Sequence, residues 1–220
     1  MADSLPPSSN ISRRRKSALN DGGAKYKAKR DELIRLAADL FKEKGYQTTT
    51  LNDIANYAGL DRASVYYYVG NKEEFFRDAV KGGVEQNAES LERVLARDDI
   101  SIREKLEQLV HLLMQSYSDS YPYMYVYIQE EMHKIADAKT PWAQEILEKT
   151  RSFEHAMLAL VKQGVAEGSF RNDIPASLAA NTIFGMLNWT YRWYTPKSKY
   201  SAKEVADAFC KIFFTGMEKA

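Results

Sequence analysis

The sequence predicts an all-α protein of about nine helices, in which an N-terminal three-helix domain containing a helix-turn-helix precedes a larger helical domain. Three observations predict this class. Apolar residues recur at helical spacing from residue 25 onward, residues 49–68 have the pattern of two short helices joined by a tight turn, and turn-forming residues divide the remainder into segments of helix length. We expect a disordered basic tail at 1–24, the helix-turn-helix domain at 25–72 and the second domain at 73–220.

The composition is typical of a protein that remains in the cytoplasm. The chain has 220 residues, of which 45% are hydrophobic and 28% charged, so it can bury a substantial core. No apolar run approaches the roughly 18 residues of a transmembrane helix, and the polar N-terminus lacks the apolar stretch of a signal peptide. The single cysteine, Cys210, cannot form an internal disulfide, and we expect it to be a small buried side chain. We therefore expect no membrane partner.

Residues 1–24 combine prolines, serines and a basic cluster with almost no apolar residues, which predicts disorder. Residues 1–30 carry eight lysines and arginines against two aspartates, whereas the whole chain has a net charge of +1. A basic end on a slightly acidic body favours contact with a polyanion, and an arginine-rich arm can enter the minor groove of DNA. A tail that is only solvated explains the same composition.

A first helix is indicated by the apolar positions Leu33, Ile34, Ala37, Leu40 and Phe41, and Gly45 ends it. The next helix begins at Leu51, because the Thr50 side chain can accept a hydrogen bond from a free backbone N–H and Asp53 places a carboxylate at the positive end of the helix dipole. The apolar face of this helix consists of Leu51, Ile54, Ala55 and Ala58.

A tight turn follows at Gly59, where the backbone requires a residue that tolerates positive φ. Asp61 is placed to cap a third short helix, from Arg62 to about Tyr68. Arginine can donate two hydrogen bonds to guanine, and serine and tyrosine hydroxyls can reach phosphates or base edges. An ordinary αα-hairpin does not require an arginine and three consecutive tyrosines on one short helix, so this segment favours DNA binding.

Residues 26–80 resemble the N-terminal domain of TetR-family repressors. The residues that carry the resemblance are Thr49, Thr50, Ile54, Ala55, Ala58, Gly59, Leu60, Asp61, Ala63, Val65, Tyr66, Tyr68, Val69, Lys72 and Glu73. Three positions depart from the usual pattern. Asp61 replaces serine or threonine and can still cap, Ala63 replaces glycine, and Val69 replaces phenylalanine as a smaller core residue.

The resemblance implies contacts with a palindromic double-stranded DNA operator. Phosphate contacts are implied for Thr50, Tyr66 and Lys72. The side of the third helix that is implied to face the major groove carries Arg62, Ala63, Ser64 and Tyr67. The complete set of DNA-binding residues expected from the motif is Thr49, Thr50, Arg62, Ala63, Ser64, Tyr66, Tyr67, Tyr68 and Lys72.

Several breaks divide the second domain, including the pair Gly82-Gly83 and the stretch from Gly168 to Pro175. The segment YPYMYVYI at 121–128 has residues of high strand propensity, but its helical surroundings predict a helix that begins near Pro122. Such an aromatic segment is typical of a buried core, and it also fits an apolar cavity with a few polar groups.

The last two helical segments, 176–194 and 202–217, are rich in apolar residues. The first is apolar on nearly every face, which predicts burial on two sides. TetR-type proteins form a four-helix dimer interface from the corresponding helices, so the resemblance implies a homodimer. The interface residues that we expect are Met186, Trp193, Phe209, Ile212 and Phe213.

The stretch NWTYRWYTP is similar to the C-terminal region of TetR-type repressors of fatty-acid and steroid breakdown, which respond to acyl-CoA thioesters. This similarity implies an acyl-CoA effector and directs attention to Arg192, because an arginine in an aromatic helix requires an anion. That anion can be a ligand phosphate or carboxylate, Glu130 or Glu131 across the bundle, or a group across the dimer. The ligand-binding residues expected are Tyr127, Glu131, Phe184, Asn188, Trp189 and Arg192.

No residues indicate an enzyme. The three histidines are isolated, and the chain has no glycine-rich phosphate loop, nucleophile elbow or CxxC pair. The cluster Glu130, Glu131 and His133 is the one alternative for a metal, and we expect neither a metal nor a cofactor.

The function expected is therefore a ligand-responsive repressor that a small hydrophobic molecule or an acyl-CoA releases from its operator. A TetR-type sensor of drugs or aromatic compounds is the first alternative. A helical dimer that binds only proteins or lipids is the second.

Overall fold

The fold is all-α, as the sequence predicts. A computed structural model describes residues 13, 17–18, 23–130 and 141–218 of the chain. Within these residues there are nine α-helices, one short 3-10 helix at Thr190–Arg192 and no strand. The helices are α1 Ala24–Lys44, α2 Leu51–Tyr57, α3 Arg62–Tyr68, α4 Lys72–Leu95, α5 Ile102–Asp119, α6 Tyr123–Glu130, α7 Pro141–Ala166, α8 Ala176–Trp189 and α9 Ala202–Met217.

The first three helices form a small core together with the beginning of α4. Leu33 and Phe41 of α1, Ile54 of α2, Val65 of α3 and Phe75 of α4 are all completely or almost completely buried. Helix α4 therefore belongs to the core of the N-terminal domain at its start, and it packs against α5 and α7 farther along. Helix α4 thus connects the helix-turn-helix to the helices that follow it.

The predicted break at Gly82-Gly83 is wrong, because α4 continues through both glycines. The structure gives Gly83 a packing role instead. A Cβ atom at Gly83 would lie 3.0 Å from Ser120 Oγ and 3.1 Å from Met124 Sδ, whereas one at Gly82 meets no atom within 4 Å. Gly83 therefore permits a close approach between α4 and the segment that joins α5 to α6, and packing overrides the low helix propensity of the pair.

The C-terminal domain is a helical bundle in which α5 packs against α4, α7 and α9, and α8 packs against α7 and α9. The aromatic segment forms α6, beginning at Tyr123, which confirms the predicted helix near Pro122. Cys210 is buried, as expected, and burial raises the pKa of its thiol to about 12. Among the helices of the described ranges, none is both long and apolar enough to cross a membrane.

Helix α7 contains a glycine that cannot be replaced without moving its neighbour. A Cβ atom at Gly164 would overlap the ring of Phe170, which is 1% exposed and stacks toward Phe214 of α9. We expect Gly164→Ala to lower the free energy of unfolding by about 1–3 kcal/mol, the usual cost of overpacking a core. Gly82→Ala is the matched control, because Gly82 is also inside a helix. This substitution is expected to raise the free energy of unfolding by about 0.5–1 kcal/mol. Urea denaturation measures both, and equal effects would contradict the packing role of Gly164.

Candidate DNA-binding surface and ligand cavity

The helix-turn-helix is built from local signals that the sequence carries. The Thr50 hydroxyl accepts a hydrogen bond from the Asp53 backbone N–H (3.1 Å), and the Asp53 carboxylate accepts one from the Thr50 backbone N–H (2.9 Å). Hydrogen bonds from the Thr50 side chain and backbone hold the pKa of Asp53 at about 2. Gly59 adopts a φ of 65°, the left-handed conformation predicted for the turn. These contacts fix where α2 begins and how the chain enters α3.

Helix α3 begins at an aspartate cap and presents small or polar residues outward. Asp61 Oδ1 accepts a hydrogen bond from the Ser64 backbone N–H (2.8 Å), and hydrogen bonds from Ser64 lower the pKa of Asp61. The side chains of Arg62 and Ala63 are exposed and that of Ser64 is half-buried. The exposed turn of α3 is therefore the part of this domain that a DNA groove can reach.

Two of the residues expected to contact DNA lie in the protein interior. Thr49 is 1% exposed, and its hydroxyl donates to the Gly45 carbonyl (2.8 Å), so it closes the turn after α1. Tyr66 is 5% exposed, and its hydroxyl accepts a hydrogen bond from Arg62 (2.9 Å). In this structure both residues support the surface from below. For Tyr66 the reason is that three consecutive helical positions cannot all face outward.

The other two tyrosines of α3 pack against Tyr26, a residue that the sequence interpretation did not single out. The Tyr26 ring stacks on Tyr68 with centroids 5.1 Å apart and meets the edge of Tyr67 at 5.3 Å. Its hydroxyl donates to the Tyr67 carbonyl (3.2 Å). The Tyr67 and Tyr68 side chains are half-buried as a result, and α1 fixes the orientation of α3.

Charged residues join the three helices of this domain to α4. Lys72, at the start of α4, donates to the carbonyls of Tyr46 (2.7 Å) and Gln47 (3.2 Å) in the turn after α1. Arg30 of α1 pairs with Asp78 of α4 and donates to the Tyr68 carbonyl (3.3 Å). Because these contacts span α1, α3 and α4, the orientation of α3 depends on the position of α4.

A cavity lies between α4, α5, α6, α7 and α8. The cavity itself is small, with an internal volume of about 60 Å3, which is below the range of about 300–1,000 Å3 typical of small-molecule sites, so a ligand of that size must displace lining side chains or extend through the mouth. Its apolar lining includes Val84, Leu113, Met124, Ile128, Phe153 and Phe184. The walls of this cavity are therefore chemically suited to an apolar group.

Most polar groups of the cavity bond to each other. Tyr117 donates to Asn188 Oδ1 (2.8 Å), and the hydroxyls of Tyr127 and Thr150 are 2.9 Å apart. Burial raises the pKa values of Tyr117 and Tyr127, so both hydroxyls are neutral at physiological pH. Asn87 differs, because its Oδ1 is buried and has no hydrogen-bond partner within the described part of the chain.

The residues expected to bind a ligand divide into three groups. Tyr127, Phe184 and Asn188 line the cavity together. Trp189 is 57% exposed and, with the exposed Arg192, lies on the outer surface, where the guanidinium sits 4.9 Å from the Trp189 ring centroid. Glu131 lies outside the described residues, as does His133 of the suggested metal cluster. In the described ranges, no group of three or more metal-ligating side chains comes together.

Helices α8 and α9 leave an apolar face exposed in the protomer, and the single helix predicted over 176–194 is shorter than expected. Helix α8 ends at Trp189, and the uncovered face carries Leu178 (60% exposed), Ile212 (64%) and Trp193 (47%). Met186 and Phe209 line a groove on this face. Phe213 is 7% exposed and belongs to the core of the protomer, because it points about 100° around α9 from Ile212.

Comparisons with known proteins agree with both halves of this architecture. Residues 33–79 match the family described as bacterial regulatory proteins, tetR family, and residues 99–217 match the family described as tetracyclin repressor-like, C-terminal domain. Over 189 residues the chain is 28% identical to the HTH-type transcriptional repressor KstR2 of Rhodococcus jostii. The aligned region covers 86% of this chain and 91% of that protein.

Two solved structures share the fold. The ketosteroid transcriptional regulator KstR2 of Mycobacterium tuberculosis has a TM-score of 0.75 and 24% identity, covering 87% of this chain and 96% of that chain. AibR in complex with isovaleryl coenzyme A and operator DNA has a TM-score of 0.66 and 20% identity, covering 85% of this chain and 98% of that chain.

Proposed function

Because this chain belongs to the TetR family of bacterial transcriptional regulators, we propose that it is a repressor whose operator binding is controlled by a small molecule in the α4–α8 cavity. The observation that carries this proposal is the course of α4. Its first turn holds the helix-turn-helix through Lys72, and three turns later Val84, Asn87 and Ala88 line the cavity. A ligand that repositions α4 therefore repositions α3.

The proposed DNA-binding surface consists of the outward residues of α3 and the cap of α2. Arg62, Ala63 and Ser64 face the major groove, and Thr50 lies beside the backbone phosphates. Tyr67 contributes to this surface the edge of its ring that Tyr26 leaves uncovered. Tyr68 and Lys72 act by holding the domain together, since they contact α1 and the turn after it. Tyr66 supports α3 from its buried side.

The proposed assembly is a homodimer formed through the exposed face of α8 and α9. Apolar side chains exposed to this degree on adjacent helices favour burial against a second copy. A dimer also places two copies of α3 on one side of a palindromic operator, where half-sites about 34–36 Å apart correspond to one turn of DNA. Met186, Trp193, Phe209 and Ile212 are the proposed contacts, with Phe213 behind them.

The proposed control is a shift between two conformers of the dimer. In one conformer the two α3 helices match the operator spacing. In the other, a bound ligand holds α4 and α6 in positions at which the α3 helices no longer match that spacing. Helix α6 offers a second connection, because Lys42 of α1 lies 4.1 Å from the ring centroid of Tyr121 just before α6. A ligand must prefer the second conformer for this control to operate.

An acyl-CoA thioester is the proposed effector. Support comes from the segment at 188–196, from the similarity to KstR2 repressors and from the fold shared with AibR, which was solved with isovaleryl coenzyme A. The acyl group would occupy the apolar cavity beside Tyr127, Phe184 and Asn188. Trp189 and Arg192 lie beyond Asn188 on the outer surface, so they are proposed to contact a part of the ligand that extends out of the cavity.

Titration of acyl-CoAs against a protein–operator complex tests the effector. We expect an acyl-CoA to release the DNA while free coenzyme A does not, and we expect Arg192→Ala to raise the acyl-CoA concentration needed by about tenfold, the effect of one lost charge-assisted hydrogen bond. Arg151→Ala removes another exposed arginine and is the matched control. The acyl-CoA proposal fails if no chain length releases DNA or changes the melting temperature.

A sensor of aromatic compounds is the second candidate, favoured by the aromatic rings of Tyr117, Tyr127, Phe153 and Phe184 around the cavity. Release of the operator by neutral or cationic aromatic compounds, with no response to acyl-CoAs, would select it.

A further inference from the structure

Asn87 is buried in the cavity wall without a hydrogen-bond partner for its carbonyl oxygen. The residue is 7% exposed, and among the described residues its Oδ1 is one of two buried side-chain atoms that lack a partner. The other atom is Ser116 Oγ, and Ser116 does not line the cavity. A buried carbonyl without a donor destabilises the folded protein. A ligand that supplies a donor therefore gains more binding free energy than an ordinary hydrogen bond provides.

Within the described ranges, most of the remaining polar side chains of the cavity are already engaged, Glu154 being the exception. Tyr117 and Asn188 bond to each other, and Tyr127 bonds to Thr150. Lys149 pairs with Glu145 and Glu85. A ligand that bonds to these groups must first break an existing interaction, whereas one that bonds to Asn87 does not.

The surroundings of Asn87 restrict the group that it can bind. Val84 and Leu91, one turn before and after it on the same face of α4, are each 5% exposed and apolar. A charged group is costly in such surroundings, while a neutral hydroxyl is not if it is hydrogen-bonded. A hydroxyl can donate to the amide oxygen and can also accept from the amide nitrogen.

We propose that the cavity recognises a hydroxyl group on the apolar part of its ligand, and that Asn87 is the residue that binds it. This inference rests on the proposed function, in which the cavity holds the effector. Because Asn87 lies on α4, the hydrogen bond connects the ligand directly to the helix that begins beneath α3.

Three pairs of neutral compounds that differ by one hydroxyl test the inference: naphthalene and 2-naphthol, biphenyl and 4-hydroxybiphenyl, and androstane and 5α-androstan-3β-ol. Calorimetric titration into the full-length protein and into Asn87→Leu gives the preference of each protein for the hydroxylated member. The preference is the dissociation constant of the parent compound divided by that of the hydroxylated compound. For at least one pair we expect this ratio to be about tenfold larger for the wild type than for Asn87→Leu, since the leucine side chain has a similar shape and no polar atom.

The unliganded proteins provide a second readout. We expect Asn87→Leu to raise the melting temperature by about 2–4 °C, because it removes an unsatisfied buried carbonyl. Ser90→Ala is the matched control, since Ser90 is also buried on α4 but accepts a hydrogen bond from Arg93 (2.7 Å) and does not line the cavity. It should lower the melting temperature and leave the preference for the hydroxylated compounds unchanged.

Equal preferences of the wild type and Asn87→Leu in all three pairs would overturn the inference, and so would a lower melting temperature for Asn87→Leu. Neither readout contains DNA. Loss of operator binding or of ligand-induced release is measured separately, so it would count against the proposed function and leave the test of Asn87 intact.

Discussion

Ala63→Glu should lower operator affinity by about 100-fold or more while leaving the fold unchanged. Ala63 is exposed on the first turn of α3, so a glutamate there disturbs no buried contact. In the complex its carboxylate would face the DNA phosphates without a counter-charge, and like charges brought together at an interface cost several kcal/mol. The proposed dimer would carry the change twice. Fluorescence anisotropy with a labelled operator fragment measures the loss.

The control for this prediction is Ala159→Glu, the same substitution at an exposed position of α7. It should bind the operator within about threefold of the wild type, since isolated surface changes have small effects. Circular dichroism and melting temperature establish that both variants fold. If Ala63→Glu binds as tightly as Ala159→Glu, α3 does not enter the major groove.

Ile212→Glu should convert the proposed dimer into monomers at micromolar concentration. Ile212 is 64% exposed in the protomer, so the substitution has little effect on the protomer itself. At a two-fold interface, however, it buries two glutamates among apolar side chains, and each buried charge costs several kcal/mol. Sedimentation velocity measures the change in mass, and operator affinity should fall with it because one α3 helix reads only half of a palindrome.

Leu95→Glu places the same charge at another exposed aliphatic position, the last residue of α4. This control should remain a dimer and bind the operator. A monomeric Ile212→Glu variant that still binds the full operator with wild-type affinity would show that dimerisation is not required. A dimeric Ile212→Glu variant would show that the interface lies elsewhere.

The helix-turn-helix was predictable from the sequence because its signals are local. Thr50, Gly59 and Asp61 each act on backbone within a few residues, and the structure places each in the predicted role. The nine helices of the described residues agree with the predicted number, since caps and helical periodicity depend on neighbours along the chain, although the predicted break at Gly82-Gly83 is absent.

Packing between distant segments could not be predicted in the same way. Tyr66, Tyr67 and Tyr68 have similar side chains, and only the position of Tyr26 on α1 determines how each is oriented. Gly83 resembles a helix break until the approach of Ser120 and Met124 is known. Asn87 gives no signal in the sequence, because its missing hydrogen bond depends on α5 to α8, which surround it.

The most direct test of the account is a footprint of the protein on the DNA around its own gene, repeated with an acyl-CoA present. The account predicts a protected palindrome whose half-sites are about 10 base pairs apart, or a multiple of this spacing. Protection should weaken at higher salt, because phosphate contacts release counterions, and the ligand should abolish it. A folded dimer that protects no palindrome at any concentration, or protection that no ligand relieves, would contradict the account.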